Sequence, residues 1–120
     1  MADIAPTSSN VESFGDTGVV VVTWALLTAA NAAGTRIEMP GSSDRCVQID
    51  GTFDTATVVL QGSNDGTTYF TLTDPQGNAI SKTAAALEQV SELTRFIRPS
   101  TSGGGGSQSV NVRLLLKRAR

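Results

Sequence analysis

Four aspartates and an asparagine lie between residues 50 and 74: Asp50, Asp54, Asn64, Asp65 and Asp74. A calcium ion takes roughly six to eight oxygen ligands, and loops of a β protein can supply some of them. No D-x-[DN]-x-[DN]-G loop is present, and Asp, Asn and Gly are also the residues that turns use. Turn chemistry is therefore the favoured account. Asp50 and Asp54 are the right types for a glycosidase pair, which needs two carboxyl groups flanking the scissile bond. Nothing in their spacing separates them from ordinary loop acids. Histidine is absent and Cys46 is the single cysteine. This removes His-based acid–base chemistry, Ser-His-Asp and Cys-His nucleophiles, Cys/His zinc sites and an intramolecular disulfide. Arg45 could lower the Cys46 thiol pKa, but a small half-buried filler is the plainer role. The tetraglycine at 103–106 lacks the G-x-G-x-x-G spacing and the helix that a phosphate site requires. The expectation is a protein that is not an enzyme and takes no metal, cofactor or small-molecule substrate.

The elements that position these residues are those of a small β protein. At 120 residues the chain fits one domain with a single core. Gly (12), Thr (15) and Ser (12) make up about a third of it, while aromatics are 5% and charged residues 17%. That composition suits short strands and many turns rather than a coiled coil or a charged disordered tail. The net charge of −2 hides a gradient. Residues 1–92 hold all eleven acids with three bases, and residues 93–120 hold six bases and no acid. Nucleic-acid binding is one reading of such a basic segment. The bases fall in two separate stretches with only Phe96 as an aromatic platform, so pairing within and between subunits is favoured over nucleic acid.

Residues 17–35 carry no charge, yet the apolar heart is only Val19–Val22 and Trp24–Leu27, too short for a membrane-spanning helix. A signal peptide would begin with basic residues, whereas Asp3, Glu12 and Asp16 are acidic. Four consecutive valines point to a buried strand. Before it, residues 1–17 are polar and aperiodic and read as an extended N-terminal arm, with Ile4, Val11 and Phe14 as its only apolar contacts. Residues 18–120 read as one antiparallel β-sandwich or jelly roll.

Strands are expected at 19–24, 35–39 and 45–53, where Val47, Ile49, Gly51 and Phe53 alternate with Cys46, Gln48 and Asp50. Residues 25–33 show only a weak helical pattern. Ala56–Gln61, Gly62-Ser63-Asn64-Asp65-Gly66 and Thr68–Leu72 form a hairpin, with Asp-Gly supplying the positive φ. Asp74-Pro75-Gln76-Gly77 has the residue order of a second turn. Thr83–Glu92 reads as a short helix, with strand left open. A strand at 94–98 is expected to stop at Pro99, and residues 102–107 to form a mobile loop. Ser109–Leu116 alternates cleanly except at Leu115, which interrupts the polar row. Trp24 and Tyr69 are either core or a sugar platform, with core favoured.

The string Val58–Tyr69 with Leu72, and later Arg95-Phe96-Ile97-Arg98-Pro99, resembles discoidin-like and other galactose-binding-like jelly rolls. The chain departs from them in lacking paired terminal cysteines and in being shorter. A fuller resemblance runs through Trp24, Arg45-Cys46-Val47-Gln48, Gly51-Thr52-Phe53, the Gly-Ser-Asn-Asp-Gly hairpin, Asp74-Pro75-Gln76-Gly77-Asn78, Phe96-Ile97-Arg98-Pro99, the glycine loop and the basic terminus. In that order they resemble small tailed-phage virion proteins similar to capsid decoration (cement) proteins. The resemblance implies a structural protein on the outer surface of the capsid, assembled in the host cytoplasm. It would be a homotrimer bound across subunits of the major capsid protein, with no nucleic acid and no membrane partner. The contact residues expected are Ile4, Val11 and Phe14 of the arm and Arg113, Lys117, Arg118 and Arg120 of the basic end. The rival expectation is a carbohydrate-binding module of a phage tail or fibre, using loops near Trp24, Asn64, Asp65 and Tyr69.

Overall fold

The C-terminal strand organises the molecule. Val110, Val112, Leu114 and Leu116 are buried, and the residues between them face outward, as a strand with one buried face requires. In a computed structural model, which describes residues 3–11 and 18–118, ten strands are seen among those residues and no helix. They are β1 (Thr7–Val11), β2 (Val19–Leu27), β3 (Ile37–Glu38), β4 (Asp44–Thr52), β5 (Thr57–Ser63), β6 (Phe70–Thr71), β7 (Ser81–Lys82), β8 (Ala86–Gln89), β9 (Phe96–Ser102) and β10 (Ser109–Lys117). One sheet has the order β1-β2-β10-β4-β8, and the other β3-β9-β5-β6 with β7 also on β5. All ladders are antiparallel, and the two sheets make a sandwich, as the alternation and turn spacing lead one to expect.

The core lies between the sheets. Trp24, Leu27, Val47, Ile49, Val58, Leu60 and Ile97 are fully enclosed, each contributing roughly 1.5–3 kcal/mol by burial. The Trp24 indole N–H donates to the Thr35 carbonyl (2.8 Å), so the one polar atom of that ring is satisfied. Gly34 is required beside it, because a Cβ there would collide with Trp24 and with Pro99. Trp24 is thus a core residue. At one rim the Lys82 ammonium meets the Glu88 carboxylate across the gap between sheets (2.9 Å).

Several local expectations give way to tertiary context. Thr83–Glu92 is not helical: β8 pairs with the free edge of β4, with Cys46 opposite Gln89 and Ile49 opposite Ala86. Ten residues make a marginal helix, while an open edge offers a complete ladder. The weak helix at 25–33 is likewise absent, since β2 continues to Leu27. Pro99 does not stop its strand. The Leu60 N–H donates to Ile80 and its carbonyl accepts from Leu72, so the Leu60–Pro99 pair is one that exchanges no hydrogen bonds. The missing proline N–H therefore faces away from β5, and the Pro99 carbonyl accepts from Gly34 (3.0 Å).

The glycine loop is tied down rather than loose. Asp54 and Thr55 form the tight turn from Phe53 to Ala56 with φ of 46° and 68°. The Asp54 carboxylate accepts from Ser107 N–H (2.9 Å), and the Thr55 hydroxyl donates to the Gly103 carbonyl (2.8 Å). Within residues 3–11 the N-terminal arm is extended and lies along the body: β1 pairs with β2 from Thr7–Thr23 to Val11–Val19. Ile4 donates to the Ala33 carbonyl and accepts from Thr35 N–H, both at 2.9 Å, and packs against the core.

Candidate functional site

Strand parity builds the site. Since the even-numbered residues of β10 are buried, Arg113, Leu115 and Lys117 point outward. Registers then set their neighbours. Val21 and Cys46 flank Leu115, Thr23 and Gln48 flank Arg113, and Val19 and Asp44 flank Lys117. Val11 stands opposite Val19, and Leu87 opposite Gln48. The outer face of the β1-β2-β10-β4-β8 sheet thus has an apolar centre. A shallow hollow there is lined by Val21, Cys46, Leu87 and Leu115 with Gln48 and Arg113. Leu87 is 66% exposed and Leu115 39%. An apolar centre with a polar rim is the anatomy of a protein–protein contact.

The charges on this face are balanced. Arg113 reaches Asp50 (2.8 Å), which also accepts from Gln48 (2.8 Å). Those bonds, the Gln48 one foremost, hold the Asp50 carboxyl below its usual range. Asp50 is therefore paired within the sheet, and Asp54 holds the glycine loop. Asp65 accepts from Thr67 and Thr68 N–H and from the Ser63 hydroxyl, which pulls its pKa down to about 2. Asp74 accepts from Gln76 and Asn78 N–H within its own turn. Asp65 and Asp74 thus serve the backbone of their own turns, and among the described residues no cluster of His, Cys, Asp or Glu is arranged to hold a metal.

The adjacent Arg45 and Cys46 face opposite ways. Arg45 is 2% exposed and lies on the inner side, donating to the carbonyls of Ser42 (2.9 Å), Met39 (3.1 Å) and Thr94 (3.1 Å). Its Nη1 is buried with no hydrogen-bond partner, and burial pulls the guanidinium pKa down. Burial, with help from Glu88, pushes the Cys46 thiol up. Arg45 does not activate it. The alternation Arg45-Val47-Ile49 already placed this arginine on the core side, a signal the composition obscured.

Of the seven contact residues expected from the sequence, Val11, Arg113 and Lys117 share the outer face. Arg118 is exposed just past the end of β10, its N–H directed at Gly18. Ile4 is turned into the molecule's own core. Phe14 and Arg120 lie outside the described residues. Sequence reasoning missed Val21 and Leu87 as members of this face, though Leu115 in a polar row was a pointer to it. For the sugar-site alternative, Trp24 is enclosed, Tyr69 is covered by the Arg98 guanidinium (3.7 Å to the ring centre), and the Asn64 side-chain carbonyl accepts from Arg95 N–H (3.0 Å).

On the other sheet the rings of Phe96 and Tyr69 are covered by side chains of the same chain, while Phe70 at the β6 edge is exposed. Phe96 lies between Arg36 (4.1 Å to the ring centre) and Arg95 (4.9 Å), and Arg95 also meets Glu38 (2.6 Å). Arg36 donates to the Gly66 carbonyl (2.9 Å). Gly66 has a φ of 77°, and a Cβ on it would strike the Arg36 guanidinium. The Asp-Gly step thus serves both the hairpin and the cover over Phe96.

The fold and its faces define an antiparallel β-sandwich with one covered and one open outer surface. The same fold occurs in the SPBc2 prophage-derived protein YomS, with a TM-score of 0.55 at 11% identity over 84% of this chain and 96% of that one. A fainter likeness is to the K3 cleaved adhesin domain of Lys-gingipain from Porphyromonas gingivalis (TM-score 0.38, 9% identity, 95% of this chain and 72% of that one). Another is to a carbohydrate-binding module of Cellvibrio mixtus lichenase 5A (TM-score 0.27, 10% identity, 96% and 87%). Both scores are too low to bear on this chain. No family model matches the sequence, and neither does any curated protein.

Proposed function

We propose that this chain is a non-catalytic structural protein of a tailed-phage virion. It decorates the outer surface of the capsid as a homotrimer and binds across neighbouring subunits of the major capsid protein. The observation that carries this reading is the open sheet face, where Leu87 and Leu115 are exposed and Val21 half-buried among the described residues. The ordered sequence motifs and a fold shared with a prophage-derived protein support the phage context. Capsid stabilisation would then come from many weak copies acting together. Solution mass by light scattering, followed by co-sedimentation with capsids assembled without this chain, tests the reading. A trimer that saturates capsids at a fixed copy number is expected; a monomer that stays in the supernatant would overturn it. A glycan-binding reading rests on the hollow where Phe70, 69% exposed, stands beside Asn64 and Asp65. Glycan-array binding abolished by Phe70→Ala would favour that reading over the capsid one.

A further inference from the structure

Leu26 is placed against its own folding preference. Its φ is 61°, a left-handed conformation that glycine or asparagine adopts readily and that disfavours a leucine. The side chain is also 60% exposed, so it adds little to the core. The cause is a bulge. Leu27 pairs with Val110 and Trp24 with Val112, which leaves Ala25 and Leu26 both opposite Asn111. Asn111 faces outward, and its side-chain carbonyl accepts the Leu26 N–H (3.0 Å). Leu26 is thereby turned to the same outer face as Val21, Leu115 and Leu87 instead of following the inward parity of Val22 and Trp24. Asp54 and Thr55 are also left-handed, but their side chains bond the glycine loop. Among the described residues the side chain of Leu26 has no such task. A left-handed non-glycine residue whose side chain has no partner of this kind points to a use outside.

We propose that Leu26 is the anchor of the capsid contact, inserting into an uncharged apolar recess on a capsid subunit. This assignment rests on the capsid reading above. The face around Leu26 fits such a partner by charge: Asp50, opposite Asn111, and Arg113 two residues along neutralise each other. A balanced face offers no net field to a polyanion or an anionic lipid surface, while buried apolar anchors near uncharged surroundings dominate protein contacts.

The test uses the full chain, with Leu26→Gly and Leu26→Asn, which relax the backbone while removing the apolar side chain, and Leu26→Met, which keeps one. The first two are expected to melt at the same or a higher temperature than the wild type and to bind capsids at least ~10-fold more weakly. Leu26→Met should bind like the wild type. Undiminished capsid binding by Leu26→Gly and Leu26→Asn would overturn the anchor assignment and leave the capsid reading standing. A clear fall in their melting temperature would also overturn it, by showing that Leu26 serves the fold. Failure of the wild type to bind capsids would overturn both.

Discussion

The two outer faces of the sandwich handle apolar surface in opposite ways. On the β3-β9-β5-β6 side, the rings of Phe96 and Tyr69 are covered by Arg36, Arg95 and Arg98 from the same chain. On the β1-β2-β10-β4-β8 side, Leu87 and Leu115 stay exposed among the described residues with Val21 half-buried between them, and Leu26 is turned outward as well. A guanidinium plane laid on a ring satisfies that ring locally and leaves a polar surface to water. A branched aliphatic side chain has no such cover. The difference teaches that basic charge in this protein does not by itself mark a contact. Of the C-terminal arginines, Arg95 and Arg98 cover one face and Arg113 balances an acid on the other.

Arg45 supports both faces, and breaking it has the largest expected effect. Arg45→Ala would take the guanidinium donors from the carbonyls of Ser42, Met39 and Thr94, of which Met39 keeps the Ser42 N–H, and open a void under β4, costing about 3 kcal/mol or more. Urea unfolding measures this, and both faces should be lost together. Leu115→Asp separates the faces. It should cost less than about 1 kcal/mol of stability, because the site is half-exposed, yet reduce capsid co-sedimentation at least ~10-fold. Arg36→Ala is the converse, uncovering Phe96 at a cost of about 0.5–1 kcal/mol in thermal unfolding, with capsid binding unchanged. Equal binding losses from Leu115→Asp and Arg36→Ala would erase the distinction.

The smallest expected effect is that of pH on the hairpin beside the covered face. The Asp65 pKa is depressed to about 2 by its hydrogen bonds, below the ordinary carboxylate value of roughly 3.9. Its contribution is therefore fully present above pH ~4 and is lost as the pH falls through about 2. In Asp65→Asn the acid-induced loosening of residues 63–68, followed by NMR, should disappear, while the open face is unmoved. A hairpin equally acid-sensitive in the variant would assign the effect to another carboxylate.

The sequence by itself determined whatever depends on neighbours a few residues away. Alternation in 45–53 and 109–116 set which side of each strand is buried, and Asp65-Gly66 and Asp74–Gly77 supplied backbone that closes turns. The absence of histidine and the lone cysteine bounded the chemistry in the same direct way. Tertiary structure decided what depends on a partner far along the chain. Ala86–Gln89, within Thr83–Glu92, became a strand because β4 had a vacant edge, and Pro99 stayed in a ladder because its missing N–H faced away from β5. The glycine loop was held by Asp54 and Thr55, some fifty residues earlier in the chain. The open face was the least legible feature, since Val21, Leu115 and Leu87 meet only through the registers of β2, β10, β4 and β8. Local pattern fixes a residue's side of a strand, but only the pairing of distant strands decides which residues share a surface.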